Sequence, residues 1–239
     1  MQRVDAPEIL DSDDCSAHDA HCVLAAIGRV NRWFGGVATT QKMVERAVMA
    51  TGTKQLSLLE VASGLGDIPE RVRLNLARRG INLQVTLLDR ARSHLPAKNG
   101  TIARTPGIVA DALAMPFADG AFDLVSCSLF AHHLNTQQLA QFVHEGLRVS
   151  RQAVLINDLV RHPLHLGLAY AGYPIMCNRV AWLDGLTSVR RAYIPDEIRS
   201  IFASALSAGP GATVEITRNY LFRMGVIVWK KAPADAGFA

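Results

Sequence analysis

Two sets of residues in this chain have types and spacings that could do chemistry. The first binds. Glu60 sits at the end of an apolar run, and the turn Gly64-Leu65-Gly66 follows it closely. Glycines let a backbone turn sharply and approach a ligand. Asp67 can cap a helix and Pro69 suits its first turn, so the turn opens onto free N–H groups that favour an anion. Asp89 and Asp111 close two later apolar runs. An acid about 20 residues beyond such a turn can accept hydrogen bonds from ribose hydroxyls. The combination points to a ligand carrying a nucleoside. It does not point to a dinucleotide, because Pro69 stands where a third glycine belongs, nor to a phosphate loop, because no Gly-Lys-Ser/Thr follows.

The second set moves protons. His132 and His133 follow the run FDLVSCSLF, and Arg161-His162 follow another apolar run. Histidine titrates near neutrality and suits proton removal. His133 and His162 are the stronger candidates for a base. A histidine packed against the next helix is the plain alternative for His133. Adjacent side chains diverge, which leaves His132 a structural role. Arg161 could stabilise a phenolate or carboxylate, or form a surface ion pair. Cys15, His18, His21 and Cys22 invite a zinc reading. Structural zinc sites usually recruit a second ligand pair from elsewhere; none is evident, so no metal is expected.

These residues need elements to hold them. A helix is expected from Asp13 to Phe34, ended by Gly35-Gly36, and another from Thr39 to Met49; residues 1–12 read as a loose tail. From Leu56 onward strands and helices alternate: strands at 56–61, 83–88, 107–110, 122–128 and 153–158, and helices at 69–79 and 136–149. Gly80 suits a helix end. Continuous apolar strands alternating with helices imply a parallel sheet covered on both faces. A helical region near 163–182 breaks the rhythm, and a helix at 195–208 follows. The closely spaced strands at 212–219 and 221–230 should pair antiparallel. The expected fold is α/β: a Rossmann-like, seven-stranded, mostly parallel sheet with one antiparallel edge strand and helices on both faces. Residues 1–53 form an N-terminal helical cap, and 54–239 the main domain with a helical lid near 163–193. In such sheets ligands bind at the carboxyl ends of the strands, which is where both sets of residues fall.

The stretches LLEVASGLGD, LLD at Asp89 and DALAMPFADGAFDLVSCSLFAHHL resemble class I S-adenosylmethionine-dependent methyltransferases, and most of all their ubiquinone/menaquinone-biosynthesis branch. The resemblance covers roughly residues 54–160. NRWFGG (Asn31–Gly36) and SVRRAY (Ser188–Tyr193) resemble elements of bacterial small-molecule methyltransferases, some tied to aromatic polyketides. The resemblance implies S-adenosylmethionine as cofactor, wrapped by Glu60, Val61, Ala62, Gly64 and Gly66. It implies Asp89, with Arg90, at the ribose, Asp111 and Ala112 at the adenine, and Ser128 and Leu129 near the methionine portion. Ala62 replaces a usual glycine.

Of the 239 residues, 49% are hydrophobic and the net charge is +4, enough for a sizeable core and only mildly basic. No dense basic run or RNA-binding pattern speaks for a nucleic-acid partner. The four cysteines lack framework spacing, and free thiols in a reducing cytoplasm are expected. The longest apolar run is too short for a bilayer, which takes about 20 residues. The expected activity is methyl transfer to a small apolar acceptor, aromatic, phenolic or polyketide-derived, with oxygen favoured over the carbon of a quinone precursor. An RNA methyltransferase and a non-catalytic cofactor binder are the rivals. A homodimer stays open.

Overall fold

The computed structural model describes residues 1–9, 17–96, 105–176, 178–207 and 211–233. The zinc reading rests on Cys15, His18 and His21, whose side chains lie outside those described. Two helices lead, α1 (Ala17–Trp33) and α2 (Gly36–Thr51). The alternating part follows as β1 (Gln55–Val61), α3 (Asp67–Ala77), β2 (Asn82–Asp89), β3 (Gly107–Val109), β4 (Phe122–Ser128), α4 (Thr136–Val149) and β5 (Ser150–Leu159). Then come α5 (Pro163–Ala171), α6 (Tyr173–Met176), α7 (Arg179–Arg191), α8 (Pro195–Leu206), β6 (Thr213–Asn219) and β7 (Arg223–Trp229).

The strands form one seven-stranded sheet in the order β3-β2-β1-β4-β5-β7-β6. The first five are parallel. Strand β7 runs against both β5 and β6, so the antiparallel pairing lies at one edge. Strand order reverses between β1 and β4, which opens a crevice at their carboxyl ends. The central strands are apolar throughout because each face is covered. Leu124 points into a core with Val44, Val72 and Leu58, under α2 and α3. Its neighbour Val125 points the other way, into a core with Phe142 and Phe202 of α4 and α8.

Local chemistry explains the helix positions. Asn135 caps α4 by accepting the Gln138 N–H at 2.9 Å, and the Gln138 side chain accepts the Asn135 N–H at 3.0 Å; this reciprocal pair is a capping box. Gly146 lets α4 lie close on β5, since a Cβ there would stand 2.8 Å from Val154 Cγ2. Pro195 starts α8, and Glu197 accepts the Ile194 N–H at 3.0 Å.

The leading segment is not loose where it is described. Arg3 donates to the carbonyls of Arg191, His132 and Leu134 at 2.7–3.0 Å. The Val4 N–H donates to Arg190 O, and the Ile9 N–H donates to Asp184 Oδ1. These polar ties draw residues 1–9 along α7 and bury Glu8. The expectation of a free tail failed because it weighed apolar content, and this segment packs through hydrogen bonds.

One buried network fastens the leading helices to the sheet. Arg223 of β7 is 3% exposed. It donates to Phe34 O at 3.1 Å, to Asn157 Oδ1 at 3.0 Å and to Asn31 Oδ1 at 2.8 Å. Asn157 then donates to Gly36 O and Thr40 Oγ1, both at 2.8 Å. This accounts for the NRWFGG stretch: Asn31 supplies an acceptor, and Gly35 supplies a left-handed turn at φ +78° with Tyr220 against it. Among the described residues no helix is long and apolar enough to cross a membrane.

Asn31→Ala leaves a guanidinium N–H buried without an acceptor. Such a loss costs about 2 kcal/mol. Urea unfolding of this variant should therefore show a lower midpoint at unchanged slope; an unchanged midpoint would remove the network from the account.

Candidate functional site

A cavity of about 1050 Å³ opens at the carboxyl ends of β1, β2 and β4. Its walls come from the β1–α3 turn, the loops after β2, β3 and β4, the leading helices, the helices α5–α7 and the β6–β7 hairpin. Backbone geometry shapes the first wall. Ala62, Gly64 and Gly66 are all left-handed, with φ of 51°, 50° and 73°. Ala62, where a glycine was expected, therefore takes the strained conformation that glycine would take without cost. Leu129, beyond β4, is also left-handed at φ 56°, and its N–H donates to Asn157 O at 2.8 Å.

The acids of this wall are already partly engaged. Asp89 is 6% exposed; one oxygen accepts the Gly64 N–H at 3.0 Å and the other the Ala91 N–H at 3.1 Å. His94 Nδ1 stands 3.3 Å from the second oxygen. The carboxylate thus ties β2 to the glycine turn and keeps lone pairs for a ligand. Asp111 is exposed and accepts the Leu113 N–H at 2.8 Å through one oxygen. Glu60 is 1% exposed and its Oε2 has no hydrogen-bond partner. Burial pushes its carboxyl up to about 7, against the opposing pull of the Ser126 and Ser128 hydroxyls. A buried polar atom without a partner is uncommon in a folded protein, and a ligand group reaching it would satisfy it.

The opposite wall holds a second constellation. A short 3-10 turn, Ala131–His133, follows β4. The tight turn does not splay the two histidines, as adjacency suggested; their ring centres lie 4.4 Å apart. His132 Nδ1 and Asp158 Oδ1 are 2.7 Å apart, and Asp158 also accepts the N–H groups of His132 and Leu159. Glu8 closes the group, with Oε1 3.3 Å from His132 Nε2 and Oε2 3.6 Å from His133 Nε2. Burial works against the charge of His132, but Asp158 and Glu8 outweigh it and raise its pKa to about 9. Burial likewise opposes the Glu8 charge, and His132 and His133 reverse that and hold it below the usual carboxylate range.

The sequence-derived residues sort as follows. Glu60, Ala62, Gly64, Asp89, Arg90, Asp111, Ala112, Ser128, Leu129, His132 and His133 line the cavity. Val61 lies in the core beneath the turn, and Gly66 caps α3 behind it. His162 and Arg161 are not in the lining. His162 caps α5 by accepting the Leu164 N–H and stacks on Phe222. Arg161 is buried rather than at the surface, donating to Ala192 O and paired with Glu197 at 2.6 Å. Glu8 and His165 are among the lining residues that escaped the sequence reading. Glu8 lies in a stretch read as tail. The His165 ring lies parallel to that of Phe222, and its Nδ1 is 3.0 Å from Val160 O. Its place one helical turn after the Pro163 start was the available signal.

Residues 59–156 match the family described as methyltransferase domain. Ajmaline N-methyltransferase from Rauvolfia serpentina is 31% identical over 105 residues, which cover 43% of this chain and 35% of that protein. The chain thus spans about a third of the curated relative it matches. Among solved structures, the plantazolicin methyltransferase BpumL in complex with a triazolic desmethylPZN analog and SAH superposes with a TM-score of 0.69 at 11% identity, over 91% of this chain and 92% of that one. The CMeT domain of the citrinin polyketide synthase gives 0.58 at 16% identity, over 82% of this chain and 52% of that one. Residues 59–156 thus match a methyltransferase domain on a Rossmann-like fold, and S-adenosylmethionine is the cofactor that the sequence resemblance implies.

The cavity fits that cofactor. The unsatisfied Glu60 oxygen suits an ammonium, the Asp89 lone pairs suit ribose hydroxyls, and the free Asp111 oxygen suits an exocyclic amine. Glu60 also sets a pH dependence. Its raised pKa makes the neutral form the one that folding favours, and that contribution fades as pH rises through about 7. A cationic ligand group reverses the preference, because it binds the ionised carboxyl. S-adenosylmethionine affinity measured by calorimetry should therefore fall on going from pH 7.5 to pH 6, by up to about tenfold per unit below the pKa. Glu60→Gln should bind more weakly and lose that slope; a variant that keeps the slope would exonerate Glu60.

Proposed function

We propose that the protein transfers the methyl group of S-adenosylmethionine to a hydroxyl of a small, apolar acceptor, aromatic or polyketide-derived. The observation that carries this reading is the mixed lining of one cavity. Glu60, Asp89 and Asp111 give it acidic groups, and Ile27, Phe34, Leu168, Ile175, Trp182 and Phe222 give it an apolar surface. A cavity of about 1050 Å³ has room for both partners, since single ligands usually occupy about 300–1,000 Å³. The named relatives give the reading company: one is an N-methyltransferase for ajmaline, another a polyketide synthase domain.

When bound, the cofactor supplies a methyl group already activated by its sulfonium. The chain's own residues do the rest. The cradle of Glu60, Asp89 and Asp111 fixes the donor, with Ser128 and Leu129 beside it. The lid aligns the acceptor, and in-line placement alone can supply several kcal/mol, up to about 7–11 in ideal cases. Its apolar side chains keep water out. Trp182 holds the lid together by donating to Ala169 O at 3.0 Å and by edge contacts with Tyr170 and Tyr173. His133 is the more exposed of the paired histidines and stacks with Phe130 on the cavity wall. It is placed to take the acceptor's proton.

Incubation with S-adenosylmethionine and a panel of phenols should yield O-methylated products by mass spectrometry. His133→Ala should lower kcat by about a hundredfold with cofactor affinity unchanged, while His162→Ala should leave turnover intact. Carbon-bound methyl on a quinone precursor would move the acceptor assignment. Methylated RNA would overturn it, and cofactor binding without any product would favour a non-catalytic binder.

A further inference from the structure

We infer that Glu8, His132 and His133 form a binding site for one divalent transition-metal cation at the acceptor end of the cavity. The three residues offer one carboxylate oxygen and two imidazole nitrogens, all within 4.8 Å of one another. A cation at the usual bond lengths of about 2.0–2.2 Å needs ligand atoms about 3 to 3.6 Å apart. The Glu8 contacts are of that size and run through both oxygens of the carboxylate, Oε1 to His132 Nε2 at 3.3 Å and Oε2 to His133 Nε2 at 3.6 Å.

Four further features fit a metal. First, His132 Nε2 is fully buried and faces Glu8 Oε1 at 3.3 Å, so it is aimed into the group and not at solvent. Second, Nδ1 of the same ring is held by Asp158 at 2.7 Å, and Asp158 is held in turn by two backbone N–H groups. A carboxylate behind a histidine fixes the ring and leaves Nε2 as the ligand atom, the arrangement seen behind most metal-bound histidines. Third, Glu8 is held by design of the chain: Ser188 Oγ donates to it at 2.8 Å, and the ties from Arg3, Val4 and Ile9 carry it across α7. Fourth, all three ligands line the cavity, so a metal there keeps an open position facing the acceptor. Two histidines, one carboxylate and an open position suit zinc, or iron, manganese or cobalt in the divalent state.

The sequence gives no hint of this site, because Glu8 lies far from the histidine pair in the chain and no ligand spacing is visible. The site's consequence rests on the methyl-transfer reading: the open position would receive an oxygen of the acceptor, and with the metal bound His133 would serve as a ligand in place of its role as base. Its existence does not rest on that reading.

The test uses the untagged full chain, stripped with chelator and dialysed. Zinc should bind with a stoichiometry of one by calorimetry and elemental analysis. Cobalt should give visible d–d absorption that zinc abolishes. Glu8→Gln and His133→Ala should each weaken zinc binding at least about tenfold, and Asp158→Asn by a similar factor. S-adenosylmethionine calorimetry on Glu8→Gln and His133→Ala confirms that these variants are folded. Failure of the wild type to bind zinc or cobalt, with cofactor binding intact, overturns the site and leaves the methyl-transfer reading standing. Zinc bound equally well by folded Glu8→Gln and His133→Ala variants sits elsewhere on the chain and overturns it too. Absent cofactor binding with stoichiometric zinc would sink the methyl-transfer reading and keep the site.

Discussion

A buried guanidinium must find acceptors, and Arg223 finds three neutral ones: Asn31, Phe34 and Asn157. Burial, opposed by the pull of Asp158, pushes its pKa down to about 10, so it stays charged at neutral pH. That charge cannot be left unsatisfied inside the protein without a penalty of several kcal/mol. The end of α1 and the start of α2 therefore have to sit on the sheet edge, whatever their own propensities prefer. From Asn157 the same network runs through Thr40, whose hydroxyl is 3.4 Å from Ser128 at the cavity wall. One side chain on β7 thereby sets where the roof of the cavity lies.

The sheet was legible in the sequence because its strands are buried on both faces and read as unbroken apolar runs. The carboxyl-end acids were legible for a related reason: a charged residue that ends such a run has few places to go except the crevice. Glu8 was not legible. Its burial depends on partners from α7 and the β4 turn, and no local pattern encodes a contact between the two ends of a chain. Arg161 and His162 misled because position after β5 predicts the right edge of the sheet but not the direction of a side chain. There the strand runs straight into the α5 cap, which claims His162, while Glu197 claims Arg161. His132 and His133 misled in the opposite sense, since the 3-10 turn kept together what an extended backbone would have separated.

Glu60 and Glu8 show how one cavity can give the same side chain two states. Both are nearly inaccessible to solvent. Glu60 has only hydroxyls for company, so burial dominates and its carboxyl stays near neutrality in its titration. Glu8 faces two histidines, and their attraction overcomes an equally unfavourable burial. Environments that push like groups apart are how acid and base roles are assigned within a site. Here Glu60, beside the glycine turn, is only partly ionised near neutral pH, and Glu8, beside the histidine pair, is held in its ionised form.

With its pKa raised to about 7, Glu60 is only partly ionised near neutral pH, so a ligand's ammonium meeting it would complete the ionisation. At the acceptor end, Glu8, His132 and Asp158 are in place before anything binds, held by Ser188 and by backbone N–H groups. Preorganised groups cost no rearrangement when charge develops beside them. Under the proposed O-methylation, an acceptor hydroxyl losing its proton next to His133 would develop such charge, and the donor sulfonium would lose it. On that reading the fixed constellation and the responsive carboxyl each stand where the chemistry needs that kind of group, and the Arg223 network holds the wall of the cavity they share.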